Sequence, residues 1–205
     1  MRKIGLLIST CLISNFLFSQ KEFSAINGVK VQSYSNLTKL PLMVLVSDSK
    51  NLSLSKFPQW LKTEFIKNET ISFETVKIEK DHLGMVHVRF QQSYKGTRIE
   101  NALLIAHCDN NKVVSFNGDW FADVPVSNSK AISEQEALQY VLNKVNAKKY
   151  KWDNKAEEDH MRSVLNDPSF TYKPKGELVV FPVIDAKKNT TTFLYAYKFN
   201  IYAEQ

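Results

Sequence analysis

The four histidines are the side chains best suited to metal binding or proton transfer, and their spacing is unlike that of a zinc peptidase. None is followed by glutamate, so the H-E-x-x-H helix, which holds two zinc ligands one turn apart with a base between them, is absent from the sequence. His82 and His87 differ by five positions and would face opposite sides of one strand. His87 and His107 could meet if their strands pair. We expect these two to form a polar network, with a metal site as the alternative that lacks further ligands.

Cys108 is the second candidate for chemistry, as a nucleophile. It follows His107 directly, but neighbouring residues of a strand point to opposite faces, so the two cannot act as a nucleophile and its base. We expect Cys108 to be a small buried apolar group. The sequence also has no G-x-S-x-G elbow, glycine-rich phosphate loop or G-x-G-x-x-G. We therefore predict no catalytic residue, no metal ligand and no bound cofactor.

Two charged clusters suit helix ends better than ligand binding. Glu157-Glu158-Asp159 is predicted to be the solvated start of a helix, with ion binding as the alternative. The stretch 148–152 combines lysines with aromatic residues, as single-stranded nucleic-acid sites do. It follows a predicted helix, however, where cations are favoured by the helix dipole. We therefore expect no nucleic-acid partner.

The first residues have the pattern of a secretory signal peptide. Met1-Arg2-Lys3 is basic, residues 4–18 are mostly apolar, and cleavage is predicted after Ser19. The apolar run is too short and too often interrupted to anchor the chain in a membrane, and a lipoprotein that uses Cys11 is the weaker alternative. Removing residues 1–19 lowers the formal charge only from +6 to +4. The sequence predicts a secreted or periplasmic protein with no stable membrane insertion and no internal disulfide.

The clearest structural pattern is an antiparallel meander between residues 81 and 118. Val86, Val88 and Phe90 alternate with polar residues, which predicts a half-buried strand whose polar face carries histidine and arginine. Residues 99–107 are apolar on both faces and should form a central strand. A third strand is predicted over 113–116, ending at Asn117-Gly118. Short turns between these strands imply antiparallel pairing.

The remaining elements flank this meander. Before it, we predict a single strand at 42–46, a helix that begins at Ser55, and a strand at 71–78 whose shift of apolar parity indicates a bulge. After it, a polar linker at 125–130 leads to a helix at 134–147 with a capping box at Ser133-x-x-Glu136. A weaker helix at 157–165 and strands at 177–183 and 192–203 complete the prediction. The fold class is α+β, with two small modules that each pack an antiparallel sheet with one or two helices.

Within the meander, one set of residues resembles the FTP module (fungalysin and thermolysin propeptide) in the pro-regions of secreted bacterial thermolysin-like zinc metalloproteases. The residues that carry this resemblance are Asp81, Gly84, His87, Arg89, Gln92, Tyr94, Gly96, His107 and Gly118. Residues 132–137, Tyr150 with Trp152, 172–178 and 194–198 resemble the PepSY module that follows in such pro-regions, here truncated at its C-terminal end. The resemblance divides the chain into a signal peptide (1–19), an N-terminal pro-segment (20–74), an FTP-like module (75–125) and a PepSY-like module (130–205).

The resemblance implies a non-catalytic propeptide that inhibits the protease domain and assists its folding. Its partner would be a thermolysin-like protease domain in cis or in trans, and zinc and calcium would belong to that domain. The motif residues would either order the FTP fold or contact the protease. Two alternatives stay open: the chain is the N-terminal fragment of a full metalloendopeptidase precursor, or it is a free-standing envelope module that inhibits proteases or binds peptides.

Overall fold

The computed structural model describes residues 26–66, 68–127, 132–185, 187–188 and 190–204. The predicted signal peptide lies outside the described residues. The described chain divides into two compact units. The first contains the residues up to Gln92 together with Asn101–Asp123, and the second contains Ser93–Glu100 together with the residues from Val124 onward.

The first unit is built on a sheet whose strands follow one another in the order β1-β2-β6-β5-β4-β3. These strands are β1 (Val29–Tyr34), β2 (Pro41–Val46), β3 (Ile71–Lys80), β4 (Val86–Tyr94), β5 (Thr97–Asp109) and β6 (Lys112–Asp119). The pairings of β1 with β2, β2 with β6, and β5 with β6 are antiparallel. The long apolar strand β5 lies between β6 and β4, as its two apolar faces predict.

Two features of this sheet differ from the prediction. The single strand expected before the first helix is wrong, because β1 also forms and pairs Val29 with Val46. Its alternation is short: Val29 and Val31 are half-buried, Lys30 and Gln32 are exposed, and the strand pairs with β2. The stop expected at Asn117-Gly118 is also wrong, since Gly118 pairs with Leu104 and β6 continues to Asp119.

One helix covers one face of the sheet. A 3-10 turn at Leu54–Lys56 leads into α1 (Phe57–Phe65), which has Pro58 in its first turn as predicted. Its buried residues, Phe57, Leu61 and Phe65, recur every four positions and so form one stripe. The Phe57 ring lies 5.2 Å from the ring of Phe116 on β6, and the Phe65 ring lies 5.4 Å from that of Trp120. The core of the unit therefore lies between α1 and the sheet.

The second unit combines two helices with a long hairpin. Its elements after the 93–100 segment are α2 (Glu134–Val145), β7 (Lys149–Tyr150), α3 (Lys155–Leu165), β8 (Glu177–Asp185), β9 (Thr190–Lys198) and β10 (Ala203–Glu204). β8 and β9 pair antiparallel over their whole length, and Ile99 pairs with Val180 of β8. The predicted capping box is present, since Ser133 Oγ accepts from the Glu136 N–H and the Glu136 carboxylate accepts from the Ser133 N–H. With the first unit, this confirms the α+β class.

The last strand is shorter than predicted. The sequence predicts one strand over 192–203, but β9 ends at Lys198, which pairs with Glu177, the first residue of β8. Beyond that point β8 offers no hydrogen-bonding partner. Ala203 and Glu204 pair instead with Tyr150 and Lys149. No helix among the described residues is long and apolar enough to cross a membrane.

Gly118 allows β6 to approach β5 closely, and this gives a first prediction. A Cβ at this position would lie 2.1 Å from the backbone oxygen of Leu103, and the residue has a φ of +130°. We expect Gly118→Ala to lower the free energy of unfolding by more than about 3 kcal/mol, because the overlap is with backbone. Urea denaturation followed by circular dichroism measures the change.

Gly96→Ala is the matched control for this measurement. Gly96 also has a positive φ, of +77°, but nothing lies within 4 Å of its added Cβ. Gly96→Ala should lower the free energy of unfolding only by the cost of placing alanine at a positive φ, about 1–2 kcal/mol. Equal losses in the two variants would show that the close approach of Gly118 to Leu103 does not matter to the fold.

Candidate functional site

A tight turn between β3 and β4 places the first motif residue. Asp81 Oδ1 accepts hydrogen bonds from the N–H groups of Leu83 and Met85, each at 2.9 Å. Gly84 has a φ of +89°, a conformation that the missing Cβ makes accessible. Because one carboxylate oxygen holds the turn, the other is left to face the start of β4.

From that second oxygen, hydrogen bonds run across three strands. Asp81 Oδ2 lies 3.1 Å from His87 Nε2, and His87 Nδ1 lies 2.7 Å from His107 Nδ1. His107 Nε2 lies 2.6 Å from Asn117 Oδ1. We call these four residues the histidine file. The predicted polar network of His87 and His107 is therefore present, but Asn117 is a member that sequence reasoning missed because it was taken as the end of a strand.

The file carries a partly exposed negative charge at one end. The side chains of His87 and Asp81 are 25% and 28% exposed. The hydrogen bond from His87 is the largest of the effects that hold the pKa of Asp81 below its ordinary value of 3.8. Asp81 is thus a carboxylate throughout the neutral pH range.

The file is arranged for hydrogen bonding rather than for metal binding. Two nitrogen ligands at about 2.0–2.1 Å from a tetrahedral zinc would lie roughly 3.3 Å apart, farther than the 2.7 Å between the facing nitrogens here. Within the described ranges, no group of three or more histidine, cysteine, aspartate or glutamate residues is arranged to hold a metal ion. The chemistry available to the file is proton sharing.

Beside the file, the same face of the sheet carries an ion-pair cluster. Arg89 Nη1 donates to Glu79 Oε2, and Lys77 Nζ lies 2.7 Å from Glu79 Oε1. Arg89 is two residues from His87 on β4, so both project from the face opposite to the buried Val88 and Phe90. Among the motif residues, the structure therefore brings Asp81, His87, Arg89 and His107 onto one polar face.

The other motif residues lie elsewhere and organise backbone. Gln92 is fully buried; its Oε1 accepts from the Phe121 N–H at 2.9 Å and its Nε2 donates to the Phe121 carbonyl at 2.6 Å. Gly96, with Lys95 at a φ of +49°, forms the turn between β4 and β5, and Lys95 Nζ lies 5.3 Å from the ring of Tyr94. Gly118 lies against Leu103 as described above. A protease-contacting role for any of the nine residues stays a prediction.

The remaining candidates from the sequence take structural positions. Cys108 is buried, as expected, and burial raises the pKa of its thiol. Tyr150 and Trp152 stack on each other with ring centroids 4.4 Å apart. Lys151 Nζ lies 2.8 Å from Glu157 Oε1. Tyr150, Lys151 and Trp152 are thus engaged within the second unit.

Glu158 corrects the expectation that residues 157–159 are a solvated helix start. It is buried and accepts hydrogen bonds from Thr171 Oγ1 at 2.6 Å and from the Tyr172 N–H at 2.9 Å. Arg162 Nη2 lies 3.0 Å from its other oxygen. These bonds, that of Thr171 first, lower the pKa of Glu158. The side chain anchors the loop after α3, a role that a run of acidic residues cannot reveal without the position of that loop.

A strip of apolar side chains on and after β3 is exposed. Val76 is 55% exposed, Ile78 65% and Leu83 75%. We call these residues the β3 strip. Glu79 lies on the polar face because it contacts Arg89, so Val76 and Ile78, which are an odd number of positions away, project from the opposite face. In the sequence, the apolar residues of this strand change from odd positions (Phe73) to even positions (Val76), and this change indicates a second apolar segment.

The charge of Asp81 gives a second prediction. Its pKa is lower in the folded protein, so its stabilisation is present above the unfolded pKa and is lost as the pH falls through the folded pKa. The difference in unfolding free energy between the wild type and Asp81→Asn should be largest near about pH 7 and should vanish by about pH 2. Urea denaturation at each pH measures it. In a His87→Gln background the same substitution should give a smaller pH-dependent difference; an undiminished difference would contradict the role of His87.

Gln92 gives a third prediction. Gln92→Met keeps the volume but removes both hydrogen bonds to the main chain of Phe121, and we expect a loss of about 2–4 kcal/mol in unfolding free energy. Gln91→Met is the control, since Gln91 is half-buried and water can replace its bonds, at a cost below about 1 kcal/mol. Thermal unfolding compares the two, and equal losses would contradict the assignment.

Comparison with known proteins identifies the part of the chain that carries the file. Residues 72–119 match the family described as the Fungalysin/Thermolysin Propeptide Motif. A search of curated proteins gives no match. The matched residues run from β3 to the end of β6 and include every member of the histidine file. They end before residue 130, so the PepSY resemblance of the C-terminal part stays a prediction. The chain thus contains the fungalysin/thermolysin propeptide motif found in the pro-regions of thermolysin-like proteases.

Proposed function

We propose that this chain is a non-catalytic pro-region that inhibits a secreted thermolysin-like zinc metalloendopeptidase and assists its folding. The observation that carries the proposal is the match of residues 72–119 to the propeptide motif. Propeptides of this kind belong to secreted proteases, which agrees with the signal peptide predicted at residues 1–19. Zinc and calcium belong, in this proposal, to the protease domain.

The β3 strip supports a protein partner for the first unit. β3 ends the order of described strands in its sheet, so one of its edges faces away from β4. Val76 and Ile78 add exposed apolar area at this edge. An end strand with exposed apolar side chains can take up an extended segment of another chain by main-chain hydrogen bonds and side-chain burial. We propose that the protease domain covers this strip.

The second unit offers a further surface on the β8–β9 hairpin. A shallow depression of about 400 Å³ is lined by Glu100, Val179, Phe181, Ala196, Tyr197 and Lys198. Phe181 and Val183 are both more than 40% exposed. Lys198 Nζ lies 2.8 Å from Glu100 Oε1, so the apolar floor has a charged rim. An apolar centre with a polar rim is the common composition of protein interfaces.

These preformed surfaces account for both proposed activities. A surface that binds only the native protease domain stabilises that domain by mass action, by RT ln(1 + c/Kd) at a chain concentration c, so the native state is favoured more as the chain concentration rises above Kd. The same complex excludes substrate if it covers the active-site cleft. One binding event therefore inhibits and assists folding, without any catalytic group in this chain.

The fourth prediction tests this function in trans. Purified chain lacking residues 1–19 is mixed with the catalytic domain of a secreted thermolysin-like endopeptidase, and cleavage of a fluorogenic peptide is measured. We expect micromolar chain to slow cleavage. It should also raise the yield of active enzyme when the denatured catalytic domain is refolded in its presence. The absence of both effects would contradict the proposal.

Matched variants test which surface binds. Val76→Lys with Ile78→Lys removes the apolar character of the β3 strip, and we expect at least about tenfold weaker inhibition, since each buried aliphatic side chain contributes roughly 1.5–3 kcal/mol. Tyr140→Lys, at a 69% exposed position of α2, is the control and should inhibit like the wild type. Equal inhibition by all three proteins would exclude the β3 strip as the contact.

A further inference from the structure

Starting from Asn117, the hydrogen bonds of the histidine file limit where the ring protons of His87 and His107 can lie. Its Oδ1 is an acceptor, so His107 Nε2, 2.6 Å away, donates. If His107 is neutral, its one N–H is the one on Nε2, and His107 Nδ1 is an acceptor. His87 Nδ1, 2.7 Å from it, must then donate. With a neutral His107, the contact between the two rings therefore has one proton arrangement, in which His87 Nδ1 is the donor.

At the Asp81 end of the file, the second nitrogen of His87 must also carry a proton. His87 Nε2 lies 3.1 Å from Asp81 Oδ2, and a carboxylate can only accept. His87 Nε2 must therefore donate as well. With a neutral His107, His87 then carries N–H groups on both nitrogens and is an imidazolium. Every hydrogen bond of the file is satisfied in this arrangement, with three ring protons shared by the two histidines.

Two other complete arrangements exist. In one, the proton between the rings lies on His107 Nδ1, so that His107 is the imidazolium and His87 is neutral. The other differs by one proton. If the Asn117 amide turned over, its Nδ2 would donate to His107 Nε2, His107 Nδ1–H would donate to His87 Nδ1, and both rings would be neutral. A fourth ring proton cannot be added, because two N–H groups would then face each other across 2.7 Å. The orientation of Asn117 thus distinguishes a state with three ring protons from one with two.

The groups around the two rings place the extra proton on His87 rather than on His107. Asp81, in the preceding turn, is its direct partner. The nearest cation on β4, Arg89, is paired with Glu79 of β3, which Lys77 also contacts. On the other side, β5 contributes His107 and β6 contributes the uncharged Asn117. His87 therefore has an unshared anionic partner on one side and a neutral acceptor on the other.

We propose that the histidine file is a one-proton latch. An imidazolium at His87 joins the 81–85 turn, β4, β5 and β6. Loss of its extra proton is coupled to a turn of the Asn117 amide. The latch is a property of this chain alone and does not depend on the proposed protease partner. It connects the Asp81 carboxylate, which closes the 81–85 turn, to β6, which lies on the other side of β5 from β4.

Nitrogen-15 spectra of the histidine rings test the latch in the full chain. His82→Gln and His160→Gln, both at exposed positions, identify the remaining two sets of signals. At pH 6 we expect both ring nitrogens of His87 to be protonated and His107 to be the Nε2–H tautomer. A neutral His87 with its proton on Nε2 would overturn the proposal, whether His107 is then the Nδ1–H tautomer or the imidazolium.

Two near-isosteric variants separate the charge from the hydrogen bonds. In Asp81→Asn the side-chain oxygen can still hold the turn while Nδ2 donates to His87 Nε2, so His87 should become neutral and keep its N–H to His107. In Asn117→Asp the residue can only accept, so the two rings should keep three N–H groups between them. A doubly protonated His87 in Asp81→Asn, or only two ring N–H groups in Asn117→Asp, would each contradict the latch. The wild-type spectrum decides the question by itself if either variant fails to fold.

Discussion

The alternation of side chains along β4 and β5 is the constraint on which the rest of the first unit depends. Each strand sends successive residues to opposite faces. On β4, Val88 and Phe90 enter the core under α1, and His87 and Arg89 must therefore lie on the other face. On β5, the same rule buries Cys108 and presents His107. A shift of one residue would bury the polar groups and expose the core.

That constraint explains why a hydrogen-bonded file can exist here at all. His87, His107 and Asn117 belong to three neighbouring strands, and each lies on the face that α1 does not cover. The file is half-exposed, so its ends can exchange protons with water. The buried Gln92, by contrast, lies on the covered face and ties β4 to the main chain of Phe121 after β6. The two faces thus use polar groups differently: one for proton sharing, the other to satisfy buried backbone.

Local patterns predicted the meander, the first helix and the capping box because each has a period or a spacing that the sequence displays. The meeting of His87 with His107 followed from strand pairing alone. Asn117 could not be predicted, because asparagine before glycine is also a turn signal and only the pairing of Leu104 with Gly118 shows that the strand continues. Strand β1 has only two alternating apolar residues, Val29 and Val31, and its pairing with β2 is what identifies it. The buried Glu158 depends on Thr171 in the loop after its helix and leaves no periodic trace.

The exposed apolar side chains of β3 have a physical cost that the unit itself does not offset. Val76 and Ile78 lie on the face that is elsewhere covered by α1, but α1 is nine residues long and buries the three side chains of one stripe. Exposed aliphatic groups on an end strand favour self-association as readily as partner binding. A chain whose task is to cover another protein would keep such a strip despite that risk, because the strip is exposed only until the partner binds.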